Sequence, residues 1–191
     1  MRRPLIALAT LAMTAAAPSL AHADDLKIVD ELRFGVYEHD ASVFGHQKES
    51  GADIGNEVLF TSPSFLSVIW SPRPILGFLE NTNGTTSQYY GGLTWTWNFA
   101  TDVLRSDDAF YVEITEGPGF NGGKTNVTDP LEQQTRKSLG SHWLFREDLD
   151  IGYRLTPQWS IAFSYNHISN ADLASRNEGL NNIGGRIGFK F

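Results

Sequence analysis

The chain has 191 residues, a formal net charge of −7, a mean hydropathy of −0.25 and no cysteine. An acidic chain without a cluster of lysine and arginine argues against nucleic acid as a partner. The lack of cysteine excludes disulfides, thiolate metal sites and cysteine nucleophiles. Its 18 glycines and its 12% of aromatic residues favour β structure with tight packing and turns.

The first 23 residues have the pattern of a secretory signal peptide. A basic start is followed by an apolar stretch from Leu5 to Leu20 and by an A-x-A cleavage site at Ala21–Ala23. The apolar stretch is too short and too rich in alanine to predict a membrane-spanning helix. We therefore expect one mature domain over residues 24–191, in which 13 basic and 22 acidic residues give a charge of −9.

About eight stretches of the mature chain alternate apolar and polar side chains and are separated by turn residues. A period of two is that of a β-strand. The clearest case sets Thr94 and Thr96 against Trp95 and Trp97. The predicted strands cover residues 29–38, 52–60, 73–82, 92–99, 109–116, 138–154, 163–170 and 182–191.

This alternation permits either a soluble sandwich with a buried apolar face or a transmembrane barrel with that face turned to lipid. Loop lengths favour the barrel. The first, fifth and seventh connections are long and the fourth and sixth are short, although the second is ambiguous and the third only moderate. With a signal peptide and Phe191 at the end of a strand, the pattern predicts an all-β fold, an eight-stranded antiparallel transmembrane barrel.

His167 and Ser169 form the most chemically suggestive pair in the chain. They lie two residues apart and so on the same face of a strand, together with Phe163 and Tyr165. On a membrane barrel this apolar face points to the lipid, where polar side chains are costly unless they have a function. Imidazole and hydroxyl are within reach of each other, as a general base and a serine nucleophile require.

The motif His167-x-Ser169-Asn170-Ala171, followed by Asn177-x-Gly179 and a final strand, resembles the lipid A 3-O-deacylase (PagL) family. The resemblance extends more loosely over the mature chain, through Arg73-Pro74, Gly77, Asn81-Thr82 and Thr86-Ser87-Gln88 before Leu93-Thr94-Trp95. It implies an eight-stranded outer-membrane barrel with its active site on the outer surface, facing the outer leaflet.

The resemblance also implies roles for residues. Ser169 would be the nucleophile and His167 the base, with Asn170, Asn177 and Gly179 at an oxyanion hole. The family's acidic third member would fall at residue 181, which is Asn181 here. Either Asn181 orients the imidazole through its amide oxygen, as in Cys-His-Asn enzymes, or Glu178 reaches in from the loop.

The sequence thus predicts a serine esterase that removes the ester-linked 3-O acyl chain from lipid A of lipopolysaccharide. Two alternatives are a catalytically silent barrel of the same family and a small porin-like or ligand-binding barrel. No cofactor and no metal is expected, since the remaining histidines lack metal-ligand spacing. The expected partners are lipopolysaccharide and the outer membrane, and a homodimer is compatible with the sequence, which does not determine the oligomeric state.

Overall fold

A computed structural model describes residues 27–42 and 45–191, so the predicted signal peptide lies outside the described residues. The chain forms eight antiparallel strands that close into a barrel, because β1 pairs with both β2 and β8. The strands are β1 (Val29–Glu38), β2 (Ala52–Phe60), β3 (Arg73–Asn81), β4 (Gln88–Thr101), β5 (Ala109–Asn121), β6 (Trp143–Arg154), β7 (Trp159–Ser169) and β8 (Leu180–Lys190). The predicted fold class is confirmed.

The predicted bounds are confirmed for β1 and β2, whereas β4 and β5 are longer than predicted. β4 already begins at Gln88, and β5 continues to Asn121 through glycines that resembled the start of a loop. These glycines let the two strands approach closely. A Cβ on Gly117 would lie only 2.1 Å from the carbonyl oxygen of Gly91. β6 begins at Trp143 instead of residue 138.

The apolar face of the strands is the outer surface of the barrel. In β1, Leu32, Phe34 and Val36 are each more than two-fifths exposed, while Arg33 between them is only 4% exposed. The same alternation runs through β6 and β7. A soluble sandwich would bury these apolar residues, so the burial pattern supports a barrel whose surface contacts lipid.

The interior is filled by ion pairs. The guanidinium groups of Arg33, Arg73 and Arg186 converge on Glu113 at 2.7 to 2.9 Å. Arg186 also contacts Asp150. Paired charges of this kind satisfy one another away from water, and an eight-stranded barrel is just wide enough to be filled by its own side chains.

Four connections lie at one end of the barrel and three at the other. The first end carries L1 (39–51), L2 (82–87), L3 (122–142) and L4 (170–179). The second carries the turns 61–72, 102–108 and 155–158, the first of which contains a 3-10 helix at Ser64–Ile69. In the described part of the chain, no helix has the length and apolar character needed to span a membrane.

His39 holds L1 against the end of the barrel that carries L1 to L4. Its Nδ1 lies 2.9 Å from Asp53 and its Nε2 lies 3.1 Å from Glu49, and all three side chains are buried. Burial lowers the pKa of the imidazole, but the hydrogen bonds with the two carboxylates outweigh this effect and raise the pKa to about 9. Asp53 also accepts a hydrogen bond of 2.8 Å from Asn182, so this cluster reaches β8.

Candidate active site

β7 presents His167 and Ser169 at the end of the barrel that carries L1 to L4. Both are partly exposed on the outer face, whereas Asn166 and Ile168 between and beside them are buried. Two residues of a strand span about 6.8 Å along its axis, which long side chains bridge. The strand alone therefore places an imidazole and a hydroxyl on one lipid-facing surface.

Asn181 lies directly across the ladder from His167. Its Oδ1 is 2.6 Å from His167 Nδ1 and accepts a second hydrogen bond, of 2.8 Å, from the Tyr165 hydroxyl. An amide oxygen only accepts, so the hydrogen of the neutral ring is on Nδ1 and the lone pair is on Nε2. This is the tautomer that a general base needs.

Glu178, the other candidate third member, is directed elsewhere. Its carboxylate contacts Lys48 Nζ in L1 and accepts a hydrogen bond from the Ser138 backbone N–H in L3. These contacts lower the pKa of Glu178, against the effect of burial. The structure thus brings Asn181 to the imidazole and uses Glu178 to tie L4 to two neighbouring loops.

Asn170 and Asn177 shape L4. The Asn170 backbone N–H donates a 3.0 Å hydrogen bond to Asn177 Oδ1, and its side-chain amide donates to the carbonyls of Leu139 and Arg176. The donors of Asn170 are therefore engaged within the loops. Asn177 Nδ2 donates one hydrogen to Asp172 and has a second N–H. Asn170 thus fixes the orientation of the Asn177 amide.

Gly179 brings the backbone of L4 against the imidazole. Its φ of +61° is in the left-handed region, and a Cβ there would lie 3.0 Å from His167 Cε1. A side chain would therefore press on the ring and strain the backbone. The glycine predicted at this site has a clear steric reason.

A groove of about 400 Å³ lies between L3, the outer end of β6 and L4, and its lining includes Asn170, the residue after Ser169. Phe145 is the ladder partner of Ser169 and forms one wall, with Trp143 next to it. Leu173 and Asn170 form the opposite wall. The mostly apolar lining suits a hydrocarbon chain.

Two residues beside His167 were not predicted as part of the site. Tyr165 shares the face of His167, but its bond to Asn181 depends on the β7–β8 register. Glu147 of β6 is exposed and lies directly across the ladder from His167. The tight turn 155–158 could have revealed it, because Arg154 opposite Ser160 places residue 147 opposite residue 167.

Within residues 27–42 and 45–191, no group of three or more histidine and acidic side chains is arranged to hold a metal ion. The model of the lipid A 3-O-deacylase (PagL) family matches residues 74–190, more than half of the chain. The chain belongs to the PagL family. No curated protein sequence matches it.

The crystal structure of the outer membrane enzyme PagL is similar to this chain, with a TM-score of 0.63 and 15% identity over 84% of this chain and 99% of that one. The N-terminal β-barrel domain of Pseudomonas aeruginosa OprF has a TM-score of 0.47 and 13% identity, over 85% and 97%. Neisserial surface protein A has a TM-score of 0.47 and 11% identity, over 86% and 97%.

Membership of the PagL family and the exposed apolar belt assign the chain to the outer membrane, which its eight strands cross. In such barrels the long loops face the outside of the cell and the short turns face the periplasm. His167 and Ser169 then lie at the level of the outer leaflet, where lipopolysaccharide is found.

Proposed function

We propose that this member of the PagL family is a serine esterase that hydrolyses the ester bond of the 3-O acyl chain of lipid A. The observation that carries the proposal is the contact of 2.6 Å between His167 Nδ1 and Asn181 Oδ1, on the outer face that also holds Ser169. Polar side chains are costly on a lipid-facing wall, which favours a functional role for the oriented imidazole and the hydroxyl on that face.

Ser169 Oγ would attack the ester carbonyl carbon while His167 Nε2 takes the hydroxyl proton. The second N–H of Asn177 and the backbone N–H of Gly179 are the proposed donors to the oxyanion. Collapse of the tetrahedral intermediate breaks the bond to the sugar oxygen, which receives the proton from His167. Water then attacks the acyl-enzyme and gives a proton to His167. The bond between the acyl carbon and Ser169 Oγ breaks, Oγ takes the proton from His167, and a fatty acid leaves.

The groove between β6 and L4 would receive the acyl chain, with Phe145 and Leu173 on either side. Substrate enters sideways from the leaflet, so no passage through the barrel is required. The ion-paired interior supports this reading over a porin-like barrel, because Arg33, Arg73 and Arg186 occupy the space that a channel would need.

Mass spectrometry of lipid A from cells that produce the chain tests the proposal. The parent should remove one hydroxyacyl chain, and Ser169→Ala, checked for folding by its heat-modifiable gel mobility, should leave lipid A intact. Lipid A unchanged by both proteins would identify a silent barrel. Deacylation that survives Ser169→Ala would assign the nucleophile elsewhere.

A further inference from the structure

The proposed reaction places a positive charge on His167 at a surface that faces lipid. A cation in such a poorly polarisable environment needs a nearby anion. Asn181 orients the ring and fixes its tautomer, but an amide carries no net charge. The charge that an acidic third member would supply is therefore missing from β8.

Glu147 provides a carboxylate on the other side of β7. It is the ladder partner of His167 on β6, as Asn181 is on β8. Directly opposite residues of an antiparallel pair have their Cβ atoms about 5 Å apart. Glu147 is exposed on the outer face. Its neighbours Arg146 and Asp148 are on the other face of β6 and are buried in the barrel interior.

Among the residues that the structure describes, the other groups near His167 on β5, β7, β8 and L4 do not supply this charge. On β7, Tyr165 donates to Asn181, and on β8 Asn181 does not titrate. In L4, Glu178 contacts Lys48 and the Ser138 backbone N–H. On β5, Glu116 faces Glu147 and so lies one strand farther from the imidazole.

We propose that Glu147 is a positioning residue that stabilises the imidazolium form of His167 and so replaces the charge that Asn181 lacks. This inference rests on the proposed esterase function. Glu147 takes no proton: the proton passes from Ser169 Oγ to His167 Nε2, and the carboxylate lowers the energy of the resulting ion pair. Such an arrangement divides the two tasks of a triad acid between two strands.

The test compares Glu147→Gln with Glu116→Gln, a matched loss of one carboxylate on the same face. In purified full-length protein, Glu147→Gln should lower the maximal deacylation rate about fivefold or more and move the acidic limb of the pH–rate profile to lower pH. NMR of labelled histidine should show the same downward shift in the midpoint of the His167 titration. Glu147→Asp should restore most of the parent's deacylation rate and of its titration midpoint. Glu116→Gln should lower each of them by less than half as much as Glu147→Gln does.

Equal shifts in the two glutamine variants, or no shift in Glu147→Gln, would overturn the inference. The NMR titration does not require turnover. A parent protein without deacylase activity would therefore remove the proposed function, while the His167 titration would still decide whether Glu147 acts on the imidazole.

Discussion

His167 Nδ1 and Asn181 Oδ1 face each other across the β7–β8 ladder at 2.6 Å, at the position where the resemblance to the family led us to expect an acid. The amide oxygen can perform the orienting part of that role because it accepts the same hydrogen bond. The imidazole is thus oriented by a group that carries no net charge.

Asn181→Ala should reduce deacylation about 100-fold, because the imidazole loses the hydrogen bond that selects its tautomer. Asn181→Asp should match or exceed the parent, since a carboxylate accepts the same bond and adds charge. Rates on purified lipopolysaccharide measure both. Glu178→Gln is the control and should change the rate less than about threefold. A larger loss in Glu178→Gln than in Asn181→Ala would reverse the assignment of the third member.

Gly179→Ala should lower the rate at least about tenfold while leaving the barrel folded. The new Cβ would lie 3.0 Å from His167 Cε1 and 3.4 Å from the Ile168 carbonyl oxygen, so the ring or L4 must move. Gly84→Ala is a matched control, because Gly84 has a similar φ of +67° with no atom within 4 Å of the added carbon. Equal losses in the two variants would point to backbone strain alone.

The His39 cluster predicts a loss of stability at alkaline pH. The pKa of the His39 imidazole rises from 6.5 in the unfolded chain to about 9 in the folded one. The contribution of the charged imidazole to the free energy of unfolding is therefore complete below pH 6.5 and disappears as the pH rises through about 9. The shift corresponds to roughly 3 kcal/mol. Urea unfolding in detergent from pH 6 to 10 should show this loss in the parent and not in His39→Gln. Parallel curves would mean that His39 is not charged in the fold.

The ion pairs in the barrel interior predict a large loss of stability in Arg186→Met. Without the guanidinium, Asp150 loses its ion pair and Glu57 loses a contact of 2.8 Å, which should destabilise the barrel by about 3 kcal/mol or more. Arg154→Met is the control, because Arg154 makes only a 3.5 Å hydrogen bond to Asn98. Urea unfolding midpoints compare the two, and a similar shift in both would argue that the interior charges are individually dispensable.

The fold could be predicted because apolar and polar side chains alternate along most strands and because turn residues separate the strands. The predicted bounds of β1 and β2 match the structure to the residue. Those of β4 and β5 do not, since a glycine such as Gly117 can begin a loop or bring two strands together, and only the partner strand decides which.

The candidate site was predictable only along one strand. The two-residue period places His167 and Ser169 on the same face, but the choice between Asn181 and Glu178 depends on the register between strands and on where a loop turns. The salt bridge between Glu178 and Lys48 joins residues that are 130 positions apart in the sequence. No local pattern contains that contact.

The backbone N–H of Ala41 donates a 2.7 Å hydrogen bond to the carbonyl of Asn181, and that of Asp40 donates one of 2.9 Å to the Asn182 side chain. The first hairpin therefore holds the residues beside the imidazole in the last strand. These bonds span the seam between β1 and β8, which exists only when all eight strands are in place. The position of Asn181 beside the imidazole therefore depends on contacts that an open sheet of the same eight strands would lack.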